Sequence, residues 1–415
     1  MARSRNFAGI TAALSLVGAT VVIVLAPPAS GATNVATEAA LRTAFANTSE
    51  TKIDIRANIN LTSCGTTATT GDVDRNADTN LTLDGHGFTI TQKCTGADKD
   101  RVLDATGDGS LTVQNVTVKG GNLDSGNGGG IQFIGSGGLT IVNSVITGNK
   151  AGGAGGGVTG DGSALRITNS VISNNTSPGP GAAGSSDISI TVINSRLIGN
   201  TGVGTLGSDG LITVRNSEVS GNTGGGLFSG DGGVTVINST ITNTTNSAAI
   251  STDGAVTLVY ATIVDNGGGA EPDAQVAGPS LASFGSVIAL PKGASPDCSV
   301  EINNSNGYNF SDDTTCGFAD AAKHDRQDAG NPGLGALANN GGSTKTRKPT
   351  SSSPLKNYIP PGSCKNDGAS AVSGDQIGTK RPQETGCEIG AFEVRAAAAD
   401  SPPATPVDAP PQLTG

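Results

Sequence analysis

The stretch Asp231–Asn243, DGGVTVINSTITN, decides the fold because close copies of it recur through the middle of the chain. Each copy contains one residue, here called the anchor, at the same point of the phrase. The anchors are Asn115, Asn143, Asn169, Asn194, Asn216 and Asn238, followed by Tyr260 in the same position. Successive anchors are 28, 26, 25, 22, 22 and 22 residues apart. A period of this length indicates stacked structural repeats.

Apolar and polar residues alternate strictly on both sides of each anchor. In the quoted copy, Val234 and Val236 precede Asn238, and Ile241 follows it. Such alternation predicts a strand with one buried face. Two short strands therefore flank an asparagine that turns the chain, a role suited to its tolerance of left-handed backbone conformations. Glycine-rich stretches such as GGGIQFI and GGGLFSG supply a third strand for each coil.

Three strands and three turns in each coil predict an all-β fold, a parallel β-helix with three sheets around a narrow core. We expect the anchor asparagines to stack in a ladder, each hydrogen-bonding its neighbours. A second, partial ladder is predicted six residues farther on. Its members are Asn149, Asn175, Asn200, Asn222 and Asn266.

The composition agrees with a thin, regular interior. The 415 residues include 63 glycines and no tryptophan, and only 3% are aromatic, too few large side chains for a thick globular core. The formal net charge of −10 argues against nucleic acid as a partner.

The first 32 residues are typical of a secretory signal. Arg3 and Arg5 precede the apolar run Ile10–Leu25, and small residues follow at Ser30–Ala32. The alternative is an uncleaved membrane anchor. No other stretch is apolar and long enough to span a membrane, so we expect a secreted or cell-surface monomer.

The ends of a solenoid need covering, since open coils would expose the core and unpaired strand edges. We expect residues 33–62 to form an N-terminal cap with a short amphipathic helix over 37–47. The β-helix is predicted over 63–290 and a loop-rich C-terminal cap over 291–394. The proline- and alanine-rich residues 395–415 predict a disordered tail.

Six cysteines follow the signal, an even number that indicates disulfides in an exported chain. Six cysteines allow 15 pairings, but these six fall into sequence-local couples. We expect Cys64–Cys94, Cys298–Cys316 and Cys364–Cys387.

The sequence resembles the right-handed parallel β-helix (pectate-lyase-like) superfamily. Its C-terminal third, with DCSVEINNSNGYNFSDDTTCGF (297–318), NPGLGALANNGGSTKT (331–346) and DQIGTKRPQETGCEIGAFE (375–393), is similar to the choice-of-anchor Q group of bacterial surface proteins. The resemblance implies a right-handed coil and a place on the cell surface. Enzymes of the wider fold cleave acidic polysaccharides with charged groups on the outer face of the first strand of each coil.

Over the glycine-rich strands that face carries Gln132, Thr159, Phe228 and Ser229, and the sequence predicts no ionisable side chain on it. The remaining catalytic candidates are Asp84 and His86 in LTLDGHGFTI, with Arg101 and Asp104 nearby. The simpler interpretation is that Asp84 and His86 form a tight turn.

An aspartate column is predicted from carboxylates that precede successive anchors. Its members are Asp161, Asp187, Asp209, Asp231 and Asp253, with Asp108 in an earlier coil. Each closes its own turn before glycine, or together they bind Ca²⁺, which prefers oxygen ligands. The stretch 71–80 (GDVDRNADTN) also resembles a Ca²⁺ loop but lacks its glycine and final glutamate. The charged run Lys323–Arg326 predicts a solvated loop.

These observations favour an exported, non-catalytic β-helix that presents an acidic, Gly/Thr-rich surface for adhesion or for contact with carbohydrate or matrix. The expected partner is a polysaccharide or another component of the cell envelope. The alternative is a polysaccharide lyase or glycoside hydrolase that acts on acidic polysaccharide, and a third is a structural envelope component without a ligand. Ca²⁺ is the one cofactor that the sequence suggests.

Overall fold

The computed structural model describes residues 31–65, 70–269, 273–364 and 372–396. Residues 1–30 of the predicted signal and residues 397–415 of the predicted tail lie outside these ranges. Within them, no helix is both long and apolar enough to cross a membrane.

The chain folds into a parallel β-solenoid whose coils each contribute a strand to three sheets, as the repeat predicts. Sheet 1 contains the strand that opens each coil. Its strands are Val73–Asn76, Leu103–Thr106, Ile131–Ile134, Val158–Asp161, Gly184–Ser186, Leu206–Ser208, Leu227–Ser229 and Ile250–Thr252, followed by the first parts of Val276–Phe284 and Cys298–Gly307.

Sheet 2 holds the strands that precede the anchors. They are Thr33–Val35, Lys52–Ile55, Leu81–Asp84, Leu111–Gln114, Leu139–Val142, Ala164–Thr168, Ser189–Ile193, Ile212–Arg215, Val234–Ile237 and Ala255–Val259, continued by the later parts of Val276–Phe284 and Cys298–Gly307. Equivalent repeat positions stack in register, for example Ile190, Ile212 and Val234.

Sheet 3 holds the strands that follow the anchors. They are Ile59–Leu61, Thr89–Gln92, Thr117–Lys119, Val145–Thr147, Val171–Ser173, Arg196–Ile198, Glu218–Ser220, Thr240–Thr242, Thr262–Val264, Val287–Ala289 and Phe310–Ser311. Two small pairs lie outside the three sheets: Thr176–Pro180 with Thr201–Val203, and Leu334–Ala338 with Thr346–Pro349. Short 3₁₀ turns occupy Gly96–Asp98, Ala321–Lys323 and Pro361–Ser363.

Every anchor residue has a left-handed backbone, with φ between 44° at Asn238 and 52° at Asn115. Tyr260 adopts the same conformation, with φ 51°. The anchors therefore turn the chain as predicted. Their expected ladder is wrong, because no hydrogen bond joins one anchor amide to the next in the part of the chain that the structure describes. Asn143 and Asn169 are exposed, and their amides lie outside the core.

The hydrogen-bonded ladder is the second one, six residues farther on. The amide of Asn149 donates to Asn175, Asn175 to Asn200 and Asn200 to Asn222 over 3.0, 3.1 and 3.1 Å. These four side chains are at most 1% exposed. Each also accepts a backbone N–H or donates to a backbone carbonyl of a neighbouring coil, as Asn175 donates to Ile146. Thr244 interrupts the ladder before Asn266, which bonds Gln275 instead.

The N-terminal helix Glu38–Ala46 begins at Thr37, whose hydroxyl accepts the N–H of Ala40. Leu41, Ala44 and Phe45 form the apolar side of this helix and are buried in the main core. At the other end, the disulfide Cys298–Cys316 and Phe318 belong to the same core cluster. The chain also forms the two other expected disulfides, Cys64–Cys94 and Cys364–Cys387.

The coils extend beyond residue 290, where the sequence repeat is no longer visible. Cys298–Gly307 pairs with Val276–Phe284, and Phe310–Ser311 pairs with Val287–Ala289. The repeat fades there because both strands are long and cross from sheet 1 into sheet 2, so the glycine-rich turn and the anchor phrase are lost.

The C-terminal segment, defined as the described residues from 334 to 396, lies along the side of the solenoid on the outer face of sheet 3. Thr240 Oγ1 donates to Gln376 Oε1 over 2.6 Å, and the N–H of Ala391 donates to Thr262 Oγ1 over 2.9 Å. The N–H of Lys345 donates to Glu218 over 2.9 Å. The residues predicted as a cap for the end of the solenoid therefore act mainly as a lateral cover.

A buried ion pair fixes this cover. Arg381 Nη1 lies 2.7 Å from Glu393 Oε2, and both side chains are fully buried. The guanidinium carbon lies 4.0 Å from the ring centre of Tyr260, and Nη2 donates to the carbonyl of Gly390. Tyr260 thus replaces the anchor asparagine at a coil whose turn the C-terminal segment covers.

Removal of one ladder amide is expected to destabilise the solenoid. Asn175→Ala leaves buried N–H and carbonyl groups on two neighbouring coils unpaired, which costs about 3 kcal/mol in the free energy of unfolding. Asn169→Gly is the matched control, since it keeps the left-handed turn without a buried amide and is expected to cost less than about 1 kcal/mol. Denaturant titrations of both variants measure the difference; equal losses would contradict a structural role for the second ladder.

Loss of the buried cation is expected to loosen the lateral cover. Arg381→Gln leaves Glu393 buried without its partner, a change that costs about 3–5 kcal/mol. Hydrogen exchange followed by mass spectrometry should show faster exchange in the C-terminal segment and over Thr240–Thr242. The exposed Lys348→Gln in the same segment should leave both regions protected, and unchanged exchange in Arg381→Gln would refute the docking role.

Candidate functional site

The outer face of sheet 1 is acidic at its N-terminal end. Asp74 and Asp104 are partners in adjacent strands, and Gln132 follows in the next strand. The prediction that this face carries no ionisable side chain is therefore wrong for its first two strands. They precede the first recognisable anchor phrase, so the repeat did not assign them to the sheet.

Three carboxylates form an acidic cluster at this end. Oxygen atoms of Asp72, Asp74 and Asp104 all lie within 4.8 Å of one another. Arg101 forms an ion pair with Asp104 and lies 3.8 Å from a carboxylate oxygen of Asp72. Asp104 Oδ1 is buried and has no hydrogen-bond partner. The cluster thus holds more negative charge than its single arginine neutralises.

Burial raises the pKa of all three carboxyls in the acidic cluster. The pKa of Asp72 rises to about 8 because of burial first and then the charges of Asp100 and Asp74. Burial and the facing charge raise the pKa of Asp74, and burial outweighs Arg101 in raising that of Asp104. A divalent cation would relieve this repulsion, and three carboxylates suit Ca²⁺.

Sequence reasoning missed Asp72 and Asp74 as partners of Asp104, although both lie in the stretch 71–80 that suggested a Ca²⁺ loop. That stretch does not form an EF-hand-like loop, because Val73–Asn76 is a strand of sheet 1. A spacing could have revealed the cluster. Asp74 precedes Asp104 by 30 residues, the offset that also separates the paired Leu81 and Leu111.

The other two catalytic candidates lie in a separate group. Asp84, His86 and Asp54 have ligand atoms within 4.8 Å of one another. His86 has a left-handed backbone with φ 48°, and its N–H donates to Asp84. Burial alone would raise the pKa of Asp84, but hydrogen bonds from Asn115 and Gln114 lower it instead. Asp84 and His86 form a tight turn, and the structure does not unite them with Arg101 and Asp104 in one cluster.

Asp54 is the most heavily paired carboxylate of this second group. Lys52 and His86 lie 3.2 Å from its Oδ1, and Arg56 lies 2.7 Å from its Oδ2. Burial opposes ionisation of Asp54, yet the hydrogen bond from His86 and the two cations lower its pKa. This surrounding positive charge removes the electrostatic reason for a metal ion here.

The aspartate column does not gather into a metal site. Within the described ranges, the acidic cluster and the Asp54 group are the two sets of at least three ligand atoms within 4.8 Å. Asp187, Asp209, Asp231 and Asp253 are exposed. Asp187 accepts the N–H of Gly162 in the preceding coil over 3.0 Å, so it links two coils. Asp161 accepts from Gln132, and Asp108 accepts from Ser136.

The charged run Lys323–Arg326 is only partly solvated. Lys323 and His324 are exposed, as predicted. Asp325 instead accepts the backbone N–H and the amide of Asn309 over 2.7 and 3.0 Å. The guanidinium of Arg326 lies 5.3 Å from the ring centre of Tyr358. The last two residues of the run therefore fasten the final coil.

Neutralisation of Asp72 is expected to stabilise the protein at high pH. Because its folded pKa is raised, folding loses stability as pH rises from the unfolded value near 4 through about 8. Asp72→Asn should therefore be more stable than the parent by up to about 5 kcal/mol at pH 8.5 and nearly equal at pH 4. Unfolding titrations at both values measure this, with exposed Asp98→Asn as control; an equal shift at both would contradict the assignment.

Comparison with protein families supports the fold and points to adhesion. Residues 101–267 match the right handed beta helix region, and residues 32–151 match the putative pectate lyase-like adhesive domain. Searches of curated proteins and of solved structures found no significant match. The matched residues include the acidic cluster and the second ladder up to Asn266. The chain thus contains a right-handed parallel β-helix similar to a pectate lyase-like adhesive domain.

Proposed function

We propose that the protein is an exported, non-catalytic adhesin whose solenoid holds carbohydrate of a cell surface or matrix. The match of residues 32–151 to the adhesive domain carries this proposal. Three disulfides and the predicted signal support export, because disulfides persist in oxidising compartments. The resemblance of residues 297–393 to the choice-of-anchor Q group lies outside the matched residues and stays a prediction.

Phe228 offers the contact surface on the outer face of sheet 1 beyond its acidic end. Gln132, Thr159 and Ser185 precede it in the same row and are buried, whereas Phe228 is 43% exposed. Phe228 lines a groove of about 130 Å³ together with three aspartates of the column. An exposed ring packs against the C–H face of a sugar, and carboxylates accept its hydroxyls.

Adhesion through this groove is tested by cosedimentation with purified cell walls and insoluble polysaccharides. Wild-type protein should pellet with at least one of them, and Phe228→Ala should weaken that binding roughly thirtyfold, since a hot-spot aromatic contributes about 2 kcal/mol. Ile302→Ala, which also removes an exposed apolar side chain, is the control and should bind normally. No pelleting with any material would refute the adhesive function.

The acidic cluster favours a second candidate, a Ca²⁺-assisted polysaccharide lyase or a hydrolase. Asp72, Asp74 and Asp104 are suitable oxygen ligands, and they lie on the outer face of a sheet beside Arg101. The ion pair of Arg101 with Asp104 engages the guanidinium and so opposes a role for this arginine as a base.

Cation binding separates the two candidates. If the acidic cluster holds Ca²⁺, millimolar CaCl₂ should raise the melting temperature of the wild type and leave that of Asp104→Asn unchanged. Asp98→Asn, outside the cluster, should respond as the wild type does. A wild-type melting temperature that Ca²⁺ does not alter would remove the metal-assisted candidate.

A further inference from the structure

A polar cleft lies where the C-terminal segment meets the turns between sheets 2 and 3, away from the acidic cluster and the sheet 1 groove. Its volume is about 360 Å³. The solenoid contributes Arg215, Asn216 and Asn238, and the C-terminal segment contributes Ser373, Gly374 and Lys380. The cleft therefore exists only while the segment is docked.

Arg215 breaks the pattern of the repeat. It ends the strand Ile212–Arg215, and its register partners in the adjacent strands are Ile193 and Ile237. Because both partners are isoleucines, the charge of Arg215 has no role in the stacking of these coils. The side chain of Arg215 is half-buried, and no ion pair or side-chain hydrogen bond holds it in the described part of the chain. Lys380 is exposed, and its ammonium group also forms no ion pair or hydrogen bond in the described part of the chain.

Two amide carbonyls beside these cations also lack partners. Oδ1 of Asn216 and Oδ1 of Asn238 are buried without a hydrogen bond. Asn238 is only 3% exposed, and its Nδ2 donates to the carbonyl of Gly374 over 2.6 Å, which fixes the direction of the amide. A buried acceptor without a donor costs about 1–3 kcal/mol, so a hydroxyl donor from a ligand would remove this penalty.

The acid in the lining does not neutralise the cations. Asp375 accepts the backbone N–H groups of Ile377, Thr379 and Glu393 over 3.0, 2.7 and 2.8 Å. Its carboxylate therefore serves the C-terminal segment itself. Neither Arg215 nor Lys380 forms an ion pair with it in the described part of the chain, so the cleft offers two unpaired cations and two hydrogen-bond acceptors in a protein of formal net charge −10.

We propose that this cleft is a binding site for a hydroxyl-rich anion, with Arg215 and Lys380 holding the acidic group and the amide carbonyls of Asn216 and Asn238 accepting hydroxyls. An anionic saccharide of a cell surface or matrix has this chemistry, with either a carboxylate or a phosphate as the acidic group. The inference deepens the proposed function and rests on it for the ligand's source. The proposed site is lined by cations, in contrast to the acidic cluster.

The test measures binding by calorimetry on the full chain with an oligoglucuronate, with glucose 6-phosphate and with neutral maltotriose. One of the two anions should bind, more weakly as NaCl is added, and maltotriose should not. Arg215→Gln and Lys380→Gln should each weaken binding roughly tenfold, the loss of one charged hydrogen bond. The oligoglucuronate and the phosphate arms tell a carboxylate site from a phosphate site.

Two further variants keep the test independent of folding. Asn216→Asp keeps a residue that tolerates the left-handed turn, with φ 50°, but adds a negative charge and should abolish anion binding. Arg166→Gln, an exposed arginine in sheet 2 outside the cleft, should bind as the wild type does. Melting curves show whether each variant is folded.

The outcomes separate this site from the adhesive function. Failure of both anions to bind, or binding that none of the three cleft variants weakens, overturns the site even if the protein still pellets with cell walls. Anion binding that the cleft variants abolish supports the site, and if that same protein pellets with no wall or polysaccharide, the adhesive function alone fails.

Discussion

In-register stacking of parallel coils is the constraint on which the rest of the molecule depends. The buried ladder from Asn149 through Asn222 allows little slippage, because each amide serves as both donor and acceptor between neighbouring coils in the buried core. A shift of one residue would also turn every apolar side chain of a strand outward. Since every coil has the same inner face, only the outer face is free to differ.

The three outer faces differ in what covers them. Sheet 1 has carboxylates at its N-terminal end, buried neutral residues such as Gln132 and Thr159 in its middle strands, and the exposed Phe228 farther along. Sheet 3 changes character at Glu218, where its outward side chains become buried beneath the C-terminal segment. The two departures from the repeat, Tyr260 and Arg215, both lie against that segment. Variation is thus concentrated where the solenoid meets another surface.

The sequence predicts the shape well because strand alternation and turn asparagines are local signals. The helix over 38–46 and the three disulfides follow from equally local patterns. The acidic cluster could not be seen in this way, since Asp74 and Asp104 meet across one whole coil that precedes the clear repeat. Nor could the lateral cover be predicted, because Arg381 and Tyr260 are 121 residues apart in the sequence and no period links them.

The central claim is that the repeated sequence builds a scaffold and does not carry a catalytic site. The most direct test measures whether the protein shortens polysaccharide chains. Acidic and neutral polysaccharides are incubated with the protein and Ca²⁺, and their size distribution is followed by gel filtration together with the absorbance of unsaturated uronates. The account predicts unchanged chain length and no new absorbance. If the wild type shortens the chains and Asp104→Asn does not, the result would contradict the account and make the acidic cluster an active site.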